Sequence, residues 1–408
     1  AMLMNAPCTL EDKDDVGAYS FAQRMRYEMD DVYIRKDVIE LAPIDVSNVY
    51  AILKLSVDSK QQGFVAENAL SLAEAVALEG KALPYAIVQN GVAVGFAMIY
   101  VVAFHVCGMR HDTLWYCLAR CGNLGVDIFL FLSGIGLWFA FTKNSSLGHF
   151  YWRRYKRIYP AWLVIAPLFY IPKLIDGNIS FMEFIGELAI NYGFWHHLAL
   201  NFWYVPAILA LYLIAPWYMK LIQADSHYRW LPVAAMLLTL LVQYWQPLHH
   251  SVGHLEIFFS RIPIFLLGIN AGALVKSGYT LPKSSLWLLL LIFAMSTLVC
   301  INFEDGLRRR FPLFIERWAY IPWTVSLTIL LPLLFDRLPR WSLRLFTIIG
   351  TVSLEIYLIH IEFVMKHVKP YHLGYWLTFV LTLGISTVLA YLLHFVIEKL
   401  QNIKNIKK

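Results

Sequence analysis

Seven ionisable side chains stand inside otherwise apolar runs of this sequence: His105, Asp127, Arg261, Glu355, His360, Glu362 and His394. Burying such groups among apolar neighbours is costly, and those retained usually bind, relay or catalyse. A histidine with a carboxylate at matching depth can act as a general base that takes the proton from a hydroxyl. The same set could equally be a polar cluster that only pins helices together. The second chemical feature is Phe150-Tyr-Trp-Arg-Arg-Tyr-Lys-Arg-Ile-Tyr-Pro160, where four cations are interleaved with aromatic rings. Guanidinium groups grip phosphate oxygens in pairs, and aromatic faces stack on a base. A basic membrane anchor would explain the charge of this run but not its aromatic spacing.

Helices in lipid must carry these groups. Of 408 residues, 59% are hydrophobic and 15% charged, and mean hydropathy is +0.56. A soluble domain is about 25% charged. Apolar runs long enough to cross a hydrocarbon core of ~30 Å recur after residue 90. They predict about ten spans, near 92–108, 124–142, 159–175, 201–223, 229–246, 257–275, 284–302, 319–335, 343–364 and 373–397. Prolines interrupt the third and eighth, which membrane helices tolerate. The amphipathic stretch 179–198 reads as a helix lying on the outer face.

Net charge is +6. Lys and Arg concentrate in the loops that share a side with the termini, so both termini are expected in the cytoplasm. The loop 303–318, rich in arginine on the outer side, runs against this pattern. The charge therefore points to the bilayer and not to nucleic acid. With this orientation His105, Asp127, Arg261, His360 and Glu362 fall at one depth near the outer face. The five cysteines make no disulfide framework, and Cys117 with Cys121 reads as two small apolar residues one turn apart. No metal site is expected.

The first ninety residues have a different character. Residues 1–35 form a tail with Glu11, Asp12, Asp14 and Asp15 and no apolar core of a signal peptide. From 36 the pattern predicts a small α/β segment, with a hairpin over 85–99 turning at Asn90-Gly91. This stretch, which includes Gln62-Gly-Phe-Val65 and Asn68-Ala69, resembles the first half of a GCN5-related N-acetyltransferase. It stops before that family's Gly-rich pyrophosphate loop. A docking module, a remnant and a coincidental lobe all fit. The expected organisation is thus a tail (1–35), an α/β segment (36–91), a ten-helix membrane domain (92–400) and a basic cytoplasmic tail (401–408).

Five segments of the membrane part resemble the acyltransferase-3 family of membrane O-acyltransferases, in the family's order. They are Gly125-Val-Asp-Ile-Phe-Leu-Phe-Leu-Ser-Gly134, Arg153-Arg-Tyr-Lys-Arg-Ile-Tyr-Pro160, Trp203-Tyr-Val-Pro-Ala207, Arg261-Ile-Pro-Ile-Phe-Leu-Leu-Gly268 and Gly350-Thr-Val-Ser-Leu-Glu-Ile-Tyr-Leu-Ile-His360. The resemblance implies a bacterial inner-membrane enzyme with ten helices. It would move an acyl group, most simply acetyl, from cytosolic acyl-CoA to a hydroxyl of a carbohydrate, lipid-linked sugar or other envelope acceptor outside. The family's histidine matches His105, and the mechanism expected here has His105 as base, Asp127 orienting it, Arg261 or a nearby amide stabilising the oxyanion, and Arg153, Arg154 and Arg157 on the coenzyme A phosphates. Trp203, Tyr357 and His360 would meet the acceptor. The family's first span carries a basic residue eleven positions before its histidine, about 16 Å along the helix; here that position is Val94. Two further readings follow, a catalytically impaired fusion and a transporter or flippase of envelope components; no convincing internal repeat supports the transporter.

Overall fold

The computed structural model describes residues 85–106, 113–197, 199–277, 279, 281–282, 284–305, 307, 310–335 and 337–406. In chain order the α-helices are α1 (Tyr85–His105), α2 (Leu114–Arg120), α3 (Leu124–Lys143), α4 (Leu147–Ile175), α5 (Phe181–Ile190), α6 (Tyr192–His197), α7 (Tyr204–Ala224) and α8 (Leu231–Tyr244). There follow α9 (Gln246–Val252), α10 (Glu256–Phe259), α11 (Ile262–Lys276), α12 (Ser285–Asp305) and α13 (Leu313–Phe335). The last are α14 (Arg340–Thr351), α15 (Ser353–Ile359), a π-helical stretch His360–Met365, α16 (Lys366–Val368) and α17 (Gly374–Ile406). Among the described residues, six stretches are long and apolar enough to cross a membrane, or eight if two bent pairs each count once. Gly91–His105 and Ile262–Lys276 are shorter apolar helices. The protein is an all-helical polytopic membrane protein over the described residues.

That overturns the expected α/β segment. No strand occurs among the described residues, and 85–99, read as a hairpin turning at Asn90-Gly91, lies wholly within α1. The reason is the solvent. A two-stranded ribbon leaves edge N–H and C=O groups unpaired, which lipid cannot satisfy, whereas a helix closes every bond within itself. The acetyltransferase-like reading loses its hairpin with this change, and its remaining part, 36–84, lies outside the described residues.

The glycines that suggested a turn serve close packing. A Cβ on Gly95 would lie 1.8 Å from the Phe346 carbonyl oxygen, and one on Gly350 would lie 2.0 Å from that of Gly91. α1 and α14 therefore touch backbone to backbone, as small residues allow in membranes. The same happens between α3 and α11, where a Gly268 Cβ would come within 2.2 Å of the Phe131 carbonyl oxygen. Residues 127, 131 and 138 of α3 meet 261, 268 and 272 of α11 in order, so the two helices run parallel. That register brings the start of α3 beside the start of α11.

Lipid-facing surfaces are apolar. Trp287 and Leu291 on α12 and Leu392 on α17 are 76%, 58% and 58% exposed. The predicted outer-face helix 179–198 is two helices, α5 and α6, separated by Asn191 in a left-handed conformation with φ 52°. Ser180 and Glu183 close a capping box at the start of α5. Between α14 and α15 the chain bends by 66° at Val352.

Candidate active site

His105 ends α1, and its Nδ1 lies 3.2 Å from Nε2 of His360, across 255 positions of sequence. His360 is fully buried, whereas His105 is only partly so. The other ring nitrogen of His360, Nδ1, sits 2.9 Å from the carbonyl oxygens of both Ile356 and Tyr357. A lone pair aimed at two carbonyls would be repelled, so Nδ1 carries the proton and the neutral ring offers a bare Nε2. His105 Nδ1 must then donate to it. This leaves His105 Nε2 with the free lone pair. The π-helical turn beginning at His360 fixes this geometry, since its wider bonding ring re-aims side chains at a helix junction.

Arg261 is the N-cap of α11 and is 2% exposed. Its Nε donates to Asp127 Oδ1 at 3.1 Å and its Nη2 to Asn123 Oδ1 at 2.7 Å. The Trp203 ring covers it, with the guanidinium carbon 5.0 Å from the centroid. Its Nη1 is buried with no hydrogen-bond partner among the described residues. Asp127, itself 2% exposed, stands in the first turn of α3, where the helix dipole favours a carboxylate. Two anchors and a lid thus hold the guanidinium still, with one nitrogen left over. The turn carrying Asn123 packs on α1 immediately before His105: a Cβ on Gly122 would lie 2.3 Å from the Tyr100 carbonyl oxygen and 2.8 Å from Phe104 Cβ.

The structure pairs the expected residues differently from the sequence reading. Asp127, expected to orient His105, is bound by Arg261, and His105 is met by His360, expected on the acceptor. Trp203 shields Arg261. Tyr357 accepts a hydrogen bond from the Tyr204 backbone N–H at 3.0 Å through its hydroxyl. In the basic run, Arg153, Lys156 and Arg157 are exposed on one side of α4. Arg154 turns away from them, its guanidinium carbon 5.5 Å from the Phe150 ring and 5.8 Å from that of Tyr212. Val94, eleven positions before His105, lies inside α1 and packs among apolar side chains.

Sequence reasoning missed Asn123, whose amide has no distinguishing local context. It also missed Asn201, which donates to Glu362 Oε1 at 2.7 Å while Glu362 pairs with Lys366. Beside them lies the buried Glu187, outside the spanning helices. Burial holds its carboxyl above the usual carboxylate range, opposed by the nearby Tyr170 hydroxyl and by the Gly193 N–H, which donates at 3.1 Å. Among the described residues, no three His, Cys, Asp or Glu side chains gather as a metal site.

No curated protein and no solved structure matches the chain. Residues 95–395 do match a family of membrane-embedded enzymes described as an acyltransferase domain. That match covers His105, His360, Asp127, Arg261 and most of the chain, so this protein belongs to the acyltransferase-3 family.

Proposed function

We propose that this protein transfers an acyl group, most simply acetyl, from cytosolic acyl-CoA to a hydroxyl of an extracytoplasmic carbohydrate or lipid-linked sugar. The observation that carries the chemistry is the His105–His360 contact, because it leaves His105 Nε2 as a directed base. The acceptor O–H gives its proton to that nitrogen while the oxygen attacks the thioester carbonyl. The tetrahedral oxyanion is stabilised by the unpaired Nη1 of Arg261, held rigid by Asp127 and Asn123. The intermediate collapses by breaking the C–S bond, and the departing thiolate takes the proton from His105. His360 is a positioning residue, and Tyr357 lends a hydroxyl to the acceptor.

The exposed Arg153 and Arg157, one helical turn apart, take coenzyme A phosphates at the cytoplasmic face. The Glu362–Asn201 pair sits on the acceptor side, where carboxylate and amide groups suit sugar hydroxyls. Val94 favours a second reading, an enzyme whose donor site is impaired, because an aliphatic side chain stands where a cation would grip a phosphate. Acetyl-CoA turnover by the purified protein, beside His105→Ala, separates the two. Thioester cleavage lost on substitution supports transfer. Silence of both proteins, with no coenzyme A binding, supports the impaired enzyme.

A further inference from the structure

Away from the histidine pair, a cavity of about 310 Å³ opens between α4 and α7. Tyr151, Tyr155 and Tyr159 form one wall at helical spacing, and Leu209, Ala210 and Leu213 form the other. Tyr155 and Tyr159 are stacked at 4.6 Å, and the Tyr151 hydroxyl donates to the Leu213 carbonyl at 3.1 Å, so the walls are braced. Ile190 and Trp195 close the far end. The site residues His105, His360 and Arg261 do not line it.

The flanks face lipid. Leu163, Leu213 and Trp217 are exposed and apolar. An occupant therefore arrives sideways from the bilayer. The groove follows α4 for about 12 Å from Tyr151 to Tyr159, at 1.5 Å per residue. Arg154 lines its interfacial end, beside Trp152, Tyr151 and the other cations of the run. Aromatic and basic side chains together mark the headgroup level. The Arg154 Nε is buried with no hydrogen-bond partner among the described residues, and the contacts seen there for its guanidinium are two aromatic rings. A cation in that position calls for an anion, and the apolar trough above it calls for a chain.

We infer that this groove is a site for an anionic phospholipid, its phosphate on Arg154 and one acyl chain lying along Tyr155, Tyr159 and Leu209. Basic pockets between membrane helices are the kind that hold anionic headgroups. This assigns Arg154 to a lipid, apart from the donor phosphates proposed for Arg153 and Arg157.

The test is native mass spectrometry of the full chain released from nanodiscs of phosphatidylcholine with phosphatidylglycerol. Wild type should retain one phosphatidylglycerol that phosphatidylcholine does not replace. Arg154→Ala should weaken retention about tenfold, as expected for one charge-assisted hydrogen bond. Ala210→Leu, which keeps the arginine but fills the trough, should weaken it similarly. Lys156→Ala, a loss of exposed charge on the same helix, should not. Equal retention in all variants, or no preference for the anionic lipid, overturns the inference. Displacement of the phospholipid by palmitoyl-CoA but not by coenzyme A also overturns it, because the trough would then hold the donor's acyl chain.

Discussion

His360 Nε2 lies 3.2 Å from His105 Nδ1, and the two carbonyls behind His360 dictate which of the rings donates. One imidazole thereby sets the tautomer of the other, and only His105 Nε2 is left to act as a base.

His105→Ala is expected to lower kcat by at least ~10²-fold, the usual contribution of a general base. His360→Ala should lower kcat by about tenfold or more with KM for acyl-CoA nearly unchanged, because the base loses its orientation and not its substrate. His360→Gln, able to present an acceptor to His105, should recover part of that loss. A purely structural His360 would instead lower the melting midpoint and leave kcat per folded molecule intact. Steady-state kinetics beside thermal melting in detergent distinguishes them.

Asp127→Ala leaves Arg261 as a buried charge stripped of its counterion, a change worth ~3–5 kcal/mol of destabilisation. Arg261→Met should cost a similar amount. Asp127→Leu combined with Arg261→Met removes both charges and should be more stable than either single variant, yet stay inactive. A double variant that melts no higher than the singles would show that the pair does not govern stability.

Gly95→Ala places a methyl group 1.8 Å from the Phe346 carbonyl oxygen, so α1 and α14 must separate. Overpacking of this kind typically costs ~1–3 kcal/mol, and more where backbone has to move. Gly136→Ala, where a Cβ meets nothing within 4 Å, is the matched control and should leave the melting midpoint unchanged.

Glu187 gives a pH dependence of definite sign. Its carboxyl is raised by burial, so the folded state holds a proton that the unfolded chain has released. The resulting stability is full below the unfolded value, about pH 4.3, and is lost as pH rises through the higher folded value. Melting midpoints measured upward from pH 4 should fall more for wild type than for Glu187→Gln, which has nothing to titrate. Parallel curves for the two proteins would remove Glu187 from this role.

Much was legible without a fold. The length and spacing of the apolar runs marked a chain dissolved in lipid, since a helix must cross about 30 Å of hydrocarbon whatever it packs against. The cost of burying charge singled out His105, Asp127, Arg261 and His360 before any contact was known. Local propensity failed at 85–99, where Asn90-Gly91 resembles a turn but backbone satisfaction in the membrane makes it helix.

What the sequence alone determined, then, was the solvent and the inventory of costly side chains, because each depends on composition over a short window. Partnership was left to tertiary structure. Asp127 was as plausible a neighbour for His105 as His360, and depth along a helix cannot choose between them. The choice was made by the parallel register of α3 and α11, set where Gly268 admits the Phe131 backbone, which carries Asp127 to Arg261. It was completed by the π turn at His360, which presents the second imidazole to the end of α1. Rotation about a helix axis and register between helices arise from contacts hundreds of residues apart, and no short window of sequence contains them.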